Sequence, residues 1–292
     1  MIIVDGNKIA NEILDNLKKE VENIKRPLCL AVVFLGDNRI SASFIKKKEE
    51  AAKKIGIDFK FFNFSVSISN RQLRQSLAKI AKRHDIHGII VQLPLPASLN
   101  CQYILDAILP SKDIDVLSSL SLGKFYTNKL KIFPPVVAAV LKVLDQYDIK
   151  VKAQRVVLIG SGKLTGKPLL LSLLNQQATV SVLNKFTPSL ADYTKKADIL
   201  ISGAGQTNII NYNIIKKGAV VIDAGMSIET LHNGKNVFRG DIDPAGIEKK
   251  ARIFVPSSGG LGPITVAMVM KNLVKLNRNS IFHQGSGEAR FF

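Results

Sequence analysis

The residues best placed to do chemistry begin at a glycine-rich turn, Gly160-Ser161-Gly162-Lys163-Leu164-Thr165-Gly166-Lys167-Pro168, which follows the apolar run 156–159 and opens an apolar helical stretch. Glycines there let backbone amides approach a pyrophosphate, and the start of a helix adds the positive end of its dipole. The spacing G-x-G-x-x-x-G is one residue longer than the strict dinucleotide fingerprint. It is not a Walker loop, because Ser161 stands where the first glycine should be and Pro168 where a Ser or Thr must reach magnesium. A plain strand-to-helix turn is the bland alternative. The next apolar run ends Val182-Leu183-Asn184-Lys185. Enzymes that use the unphosphorylated dinucleotide place a carboxylate there for the ribose hydroxyls. A lysine and no acid favours a 2′-phosphate, so NADP is the expected cofactor, against the plain reading of Lys185 as a surface charge. Gly205, after the run 198–202, completes the expected cofactor-binding set with Gly160, Ser161, Gly162, Lys163, Gly166 and Lys185.

Other reactive side chains carry less. Cys29 and Cys101 lie far apart without metal-ligand spacing and read as buried free thiols. His84 and His87 precede an apolar run in a charged stretch, where surface placement is expected and a metal site is not. The net charge of +18 comes from Lys and Arg spread along the whole chain. Such a field concentrates anions, whether nucleic acid, a phosphorylated cofactor or a polycarboxylate. The lysines at 46–48 and 53–54 fit a solvated helix face, and no RRM-type aromatic signature accompanies them. Nucleic acid is therefore not an expected partner.

The elements that must hold these residues follow from pattern. Apolar runs at 28–35, 88–93 and 156–159 close on Gly36, Pro94 and Gly160, and helical spacing fills 40–55, 69–84, 136–148 and 165–176. Alternation of this kind predicts βαβ units and parallel sheets covered by helices. The second half repeats the pattern as a doubly wound, Rossmann-type unit. With 292 residues, two cores are expected. The expected domains are 1–135, an αβα catalytic domain, and 136–263, the cofactor domain. Residues 264–292 are expected to form a helix that packs back on the first domain, then a frayed tail around Gly285, Ser286 and Gly287. The stretch 110–135, rich in Ser, Lys and Pro without a clear period, reads as a partly ordered connection. No apolar run reaches membrane-spanning length and the first residues carry Asp5, Asn7 and Glu12, so a cytoplasmic protein is expected.

Nearly end to end, the chain resembles the bifunctional methylenetetrahydrofolate dehydrogenase and methenyltetrahydrofolate cyclohydrolase family. The likeness runs through Ile3-Val4-Asp5-Gly6, Val33-Phe34-Leu35-Gly36-Asp37-Asn38 and the pattern Ser41-x-x-Phe44-x-x-x-Lys48. It continues in Val91-Gln92-Leu93-Pro94-Leu95-Pro96, Lys112-Asp113-Ile114-Asp115, the phosphate loop, Val221-Ile222-Asp223-Ala224-Gly225, Gly240-Asp241-Ile242-Asp243 and Gly259-Gly260-Leu261-Gly262-Pro263-Ile264-Thr265-Val266. The resemblance implies hydride transfer from methylenetetrahydrofolate to NADP, then water attack on the methenyl carbon, in one cleft. It implies that Lys48 exchanges protons with the attacking water, that Gln92 hydrogen-bonds that lysine, and that Asp115 receives the pterin's N–H groups. Phe44, Pro94, Gly259, Gly260 and Pro263 are implied substrate contacts. It also implies a homodimer.

The pattern breaks at several places. Phe44 stands where the family has tyrosine, Val116 where it has glycine and Ser121 where it has asparagine. Pro134-Pro135-Val136-Val137 replaces Pro-Cys-Thr-Pro, Ser257-Ser258 replaces Val-Pro, and Ser161 replaces an Arg or similar residue. A branched side chain at Val116 is expected to crowd the pterin where glycine permits close approach or a positive φ. These departures motivate a rival reading, a nicotinamide-nucleotide-binding relative without folate turnover that serves as a regulatory or interaction protein.

Overall fold

The structure is a computed structural model, and it describes residues 1–230 and 236–278. In chain order its elements are β1 (Ile2–Ile3), α1 (Gly6–Glu22), β2 (Cys29–Leu35), α2 (Arg39–Lys54), β3 (Asp58–Phe64), α3 (Asn70–Lys82) and β4 (Gly88–Val91). There follow α4 (Cys101–Leu105), α5 (Ser119–Tyr126), α6 (Pro135–Gln146), β5 (Arg155–Ile159), α7 (Gly166–Asn175), β6 (Thr179–Leu183), α8 (Ala191–Thr194) and β7 (Ile199–Ser202). The last are β8 (Val220–Asp223), β9 (Ser227–Thr230), β10 (Asn236–Arg239), β11 (Ile253–Val255) and α9 (Gly262–Arg278). The tail around Gly285 lies outside the described residues. Among those described, no helix is long and apolar enough to cross a membrane.

The chain divides into two compact units, Asn11–Pro135 with the chain from Val266, and Met1–Ala10 with Val136–Thr265. Residues 1–10, assigned to the first domain by their place in the sequence, sit with the second half. The cause is a parallel pairing of Ile2 and Ile3 with Ile253 and Phe254. A two-residue strand leaves no period to read, so only tertiary pairing places it.

In the first unit β2 lies between β3 and β4, all parallel, with Val32 opposite both Phe61 and Ile90. Every residue of β2 is buried, which explains its continuous apolar run. Helix α3 starts on a capping box, in which Ser69 Oγ accepts from Gln72 N while the Gln72 side chain accepts from Ser69 N. Its Leu73, Leu77 and Ile80 enter the core with Ala31, Val33 and Ile89, each contributing about 1.5–3 kcal/mol by burial. The stretch 110–135 is ordered, contrary to expectation. Buried Asp113 accepts from Leu117 N, Ser118 N and Ser118 Oγ, and Ser118 caps α5 by accepting from Ser121 N. Local side-chain caps order the segment, and they leave no hydrophobic period to detect.

In the second unit six parallel strands run in the order β1-β11-β8-β7-β5-β6, so β6 is an edge. The chain leaves β5 for β6 on one side and returns to β7 on the other, which makes the carboxyl ends of β5 and β7 the switch point where such sheets bind ligands. A Cβ on Gly160 would lie 2.5 Å from Gly203 O, so the loops after these strands touch there.

Candidate active site

In the first unit, Lys48 sits on α2 four residues after Phe44, which is half-buried. Lys48 Nζ donates to Gln92 Oε1 at 3.0 Å. Gln92, just after β4, is itself fixed, because its backbone N donates to Val33 O and its Nε2 donates to Leu93 O, both at 2.8 Å. With the amide nitrogen engaged, the amide oxygen faces the lysine. Burial pulls the Lys48 pKa below the ordinary lysine value, while Asp115 pulls it back up. Burial pushes the Asp115 carboxyl up to about 6, opposed by Lys48 and reinforced by Asp113. A desolvated lysine whose basicity is lowered can exchange a proton near neutral pH.

Asp115 owes its place to a segment laid along β4. Ile89 N donates to Lys112 O, and Ile89 and Asp113 form a parallel bridge. Helix α9 fastens the same segment, with Asn272 Nδ2 donating to Ile114 O and Phe133 O, both at 2.8 Å. Val116 has φ +59 and is fully buried. The expected crowding at this position therefore takes another form, with the branched side chain packed inside and the strain carried by the backbone. Ser121 is likewise buried, its Oγ 2.9 Å from Ser118 Oγ. Pro94 follows Leu93 through a cis peptide and is exposed. His87, expected at the surface, is buried, and its Nδ1 accepts from Cys29 N at 3.1 Å. Cys29 is buried and Cys101, expected to be buried, is half-buried, and neither is in a disulfide.

In the second unit the phosphate loop fits a dinucleotide. Gly160 has φ +97, and a Cβ on Gly166 would lie 2.0 Å from Gly160 O, so both positions demand glycine. Ser161, Gly162 and Lys163 are exposed, and a Cβ at Gly162 would meet open space. Helix α7 starts at Gly166, after an N-cap Thr165 that makes no side-chain cap; Lys167 N donates to Gly162 O and Pro168 has no N–H, so an anion here meets the loop amides before the helix and the positive end of its dipole. Lys185 is exposed at the end of β6, where Asn184 and Thr187 close a turn without an acid. Gly205, φ +67, lies in the loop after β7.

Two buried carboxylates hold that loop, and sequence reading assigned neither a role. Asp241 Oδ2 accepts from Ser202 Oγ (2.7 Å), Ala204 N (2.7 Å) and Gly205 N (3.3 Å), and its Oδ1 accepts from Gln206 N (2.8 Å). Asp223 accepts from Gly225 N, Asp241 N and Ile242 N at 3.0–3.1 Å. Burial pushes Asp223 up to about 6 against the pull of these amides. The available signal was glycine, since a Cβ at Gly225 would strike Asp241 at 2.0 Å and one at Gly240 would strike Asp223 at 1.9 Å. Gly259 has φ +73, and buried Gly260 lies where a Cβ on Gly6 would meet its carbonyl oxygen at 1.7 Å. These two and Pro263 belong to the second unit, whereas Phe44 and Pro94 belong to the first. Ser257 Oγ donates to Gly225 O at 2.5 Å.

Comparison with known proteins agrees with both halves. Residues 4–115 match the family described as tetrahydrofolate dehydrogenase/cyclohydrolase, catalytic domain, and residues 134–281 match its NAD(P)-binding domain. The chain is 37% identical over 282 residues to the bifunctional protein FolD of Nautilia profundicola, covering 96% of this chain and 98% of that one. It is 35% identical to the Bacillus subtilis protein of the same name, with the same coverage. The crystal structure of the bifunctional FolD dehydrogenase/cyclohydrolase of Campylobacter jejuni superposes with a TM-score of 0.90 at 33% identity, over 96% of this chain and 99% of that one. The Trypanosoma brucei enzyme, solved with NADP cofactor and inhibitor, gives 0.91 at 29% identity, over 96% and 98%. The chain belongs to the tetrahydrofolate dehydrogenase/cyclohydrolase family.

Proposed function

We propose that this protein oxidises 5,10-methylenetetrahydrofolate to 5,10-methenyltetrahydrofolate with NADP and hydrolyses the product to 10-formyltetrahydrofolate. The observation that carries this reading is the Lys48 to Gln92 hydrogen bond with Asp115 acting on the same lysine, in a chain of this family. When bound, the nicotinamide ring accepts the hydride that leaves the methylene carbon. The phosphate loop and the start of α7 hold the pyrophosphate, and Lys185 favours the 2′-phosphate, the form of the cofactor in the Trypanosoma brucei structure. In the hydrolytic step the neutral Lys48 amine takes a proton from the attacking water and becomes the ammonium, and Gln92 fixes the direction of that amino group by accepting from Nζ. Asp115 receives the pterin's N–H groups as a paired acceptor. Phe44 contributes its ring without a hydroxyl. The binding-only rival rests on the departures from the family pattern, and the backbone absorbs two of them. Val116 keeps the left-handed φ of a glycine, and Pro135 opens α6 at the position where proline suits a helix start. The family resemblance further leads us to propose a homodimer acting in the cytoplasm.

The test mixes purified protein with methylenetetrahydrofolate and NADP or NAD, following reduced cofactor and methenyl product, with Lys48→Ala alongside. The expected result is turnover by the wild type and accumulation of the methenyl product by the variant, hydrolysis falling by about 10²–10⁴. Cofactor binding without turnover by the wild type would overturn the reading.

A further inference from the structure

We propose that Phe186 is the adenine platform of the cofactor site, acting beside Lys185, which takes the 2′-phosphate. The inference rests on the NADP reading above and adds a base-recognition residue to it. Phe186 is 80% exposed, the most exposed of the large apolar side chains at the surface of the described residues. A phenylalanine so placed is not packing a core. A defined turn presents it, in which Phe186 N donates to Asn184 Oδ1 at 2.9 Å, Asn184 N donates to Thr187 Oγ1 at 3.0 Å and Thr187 N donates to Asn184 O at 2.9 Å. The turn follows β6, the edge strand, so no further strand covers it on the outer side. It is tied to the phosphate loop, because Gly160 N donates to Leu183 O.

The adenosine half of a dinucleotide lies across the carboxyl ends of the first two strands of such a sheet, with its ribose at the end of the second. Here those strands are β5 and β6, and the residue beside the ribose is Lys185. Its Nζ rests 5.0 Å from the centre of the Phe186 ring, so the cation and the aromatic face form one unit before any ligand arrives. A phosphate on the ribose and a flat base attached to the same sugar match that pair, and an aromatic ring accepts a base through stacking without needing its hydrogen-bond edge.

The chain contains no tryptophan, so Phe186→Trp installs a single tryptophan, excited apart from the tyrosines, at the site. Wild type, Phe186→Ala, Phe186→Trp and Lys185→Ala are titrated with NADP, 2′,5′-ADP, 5′-AMP and nicotinamide mononucleotide by calorimetry, and Phe186→Trp also by fluorescence. Phe186→Ala is expected to weaken 2′,5′-ADP and 5′-AMP alike, by roughly ten-fold or more, and to leave nicotinamide mononucleotide unchanged. Lys185→Ala is expected to weaken 2′,5′-ADP and spare 5′-AMP. Phe186→Trp should bind 2′,5′-ADP with wild-type affinity and lose fluorescence as the base stacks. Unchanged affinity of Phe186→Ala for 2′,5′-ADP, with wild type binding it, overturns the inference and leaves the cofactor reading intact. A wild-type protein that binds neither NADP nor 2′,5′-ADP overturns both.

Discussion

Lys48 and Asp115, both half-buried, act on each other electrostatically in surroundings where each would be more easily kept neutral alone. Burial lowers the lysine and raises the carboxyl to about 6, while their mutual attraction favours the charged forms. In the proposed role, in which Asp115 accepts N–H groups from the pterin, the carboxylate loses that capacity when it is protonated. We therefore expect kcat/KM of the dehydrogenase step to fall as pH drops through about 6, approaching tenfold per unit. Asp115→Asn should abolish this acidic limb and lower the plateau; a limb that survives in the variant would assign the titration to another group. Val116 makes a different kind of prediction. Its left-handed backbone costs about 1–3 kcal/mol, and its buried side chain returns a similar amount. Val116→Gly should change stability in urea by no more than about 1 kcal/mol and leave the folate KM within about twofold, because the branched group is packed inside. A large drop in KM would show that it reaches the substrate.

Among the elements, the loop after β7 depends most on side chains distant in sequence. Asp241 satisfies the amides of Ala204, Gly205 and Gln206, and Asp223 in turn holds the Asp241 and Ile242 amides. Removing the first carboxylate takes the acceptor from the buried Ser202 hydroxyl and from three amides of exposed loop residues. Asp241→Ala is expected to destabilise the protein by about 1–3 kcal/mol and to weaken NADP binding, read by urea unfolding and by calorimetry. A loss below about 1 kcal/mol would mean that the loop holds itself. The same logic explains α5, whose start is built by Asp113 and Ser118. A hydrophobic period announces an amphipathic helix, but capping polar residues look alike in ordered and disordered segments.

At the scale of the whole molecule, the charge of +18 has a use in a protein whose proposed cofactor is a polyanion. Raising ionic strength from about 0.05 to about 0.5 M should weaken NADP binding several-fold through screening; an affinity indifferent to salt would limit recognition to short-range contacts. Much of the architecture was legible in the chain itself. The buried run of β2, the helical spacing of α3 and the glycines at 160 and 166 state local requirements, and burial, period and backbone freedom are properties that neighbouring residues share. The family followed from ordered motifs, and with it Lys48, Gln92 and Asp115, which no pattern of charge alone separates from the surface lysines around them. Other features were decided only by tertiary structure. The first ten residues join the second half through a two-residue strand, His87 is buried against a backbone amide of Cys29, and Asp241 serves a loop 35–37 positions away. Each depends on long-range hydrogen bonds or a short strand pairing, and such contacts repeat with no period along the chain. The sequence determined which residues must be buried, turned or left free; the folded chain decided which distant partners they meet.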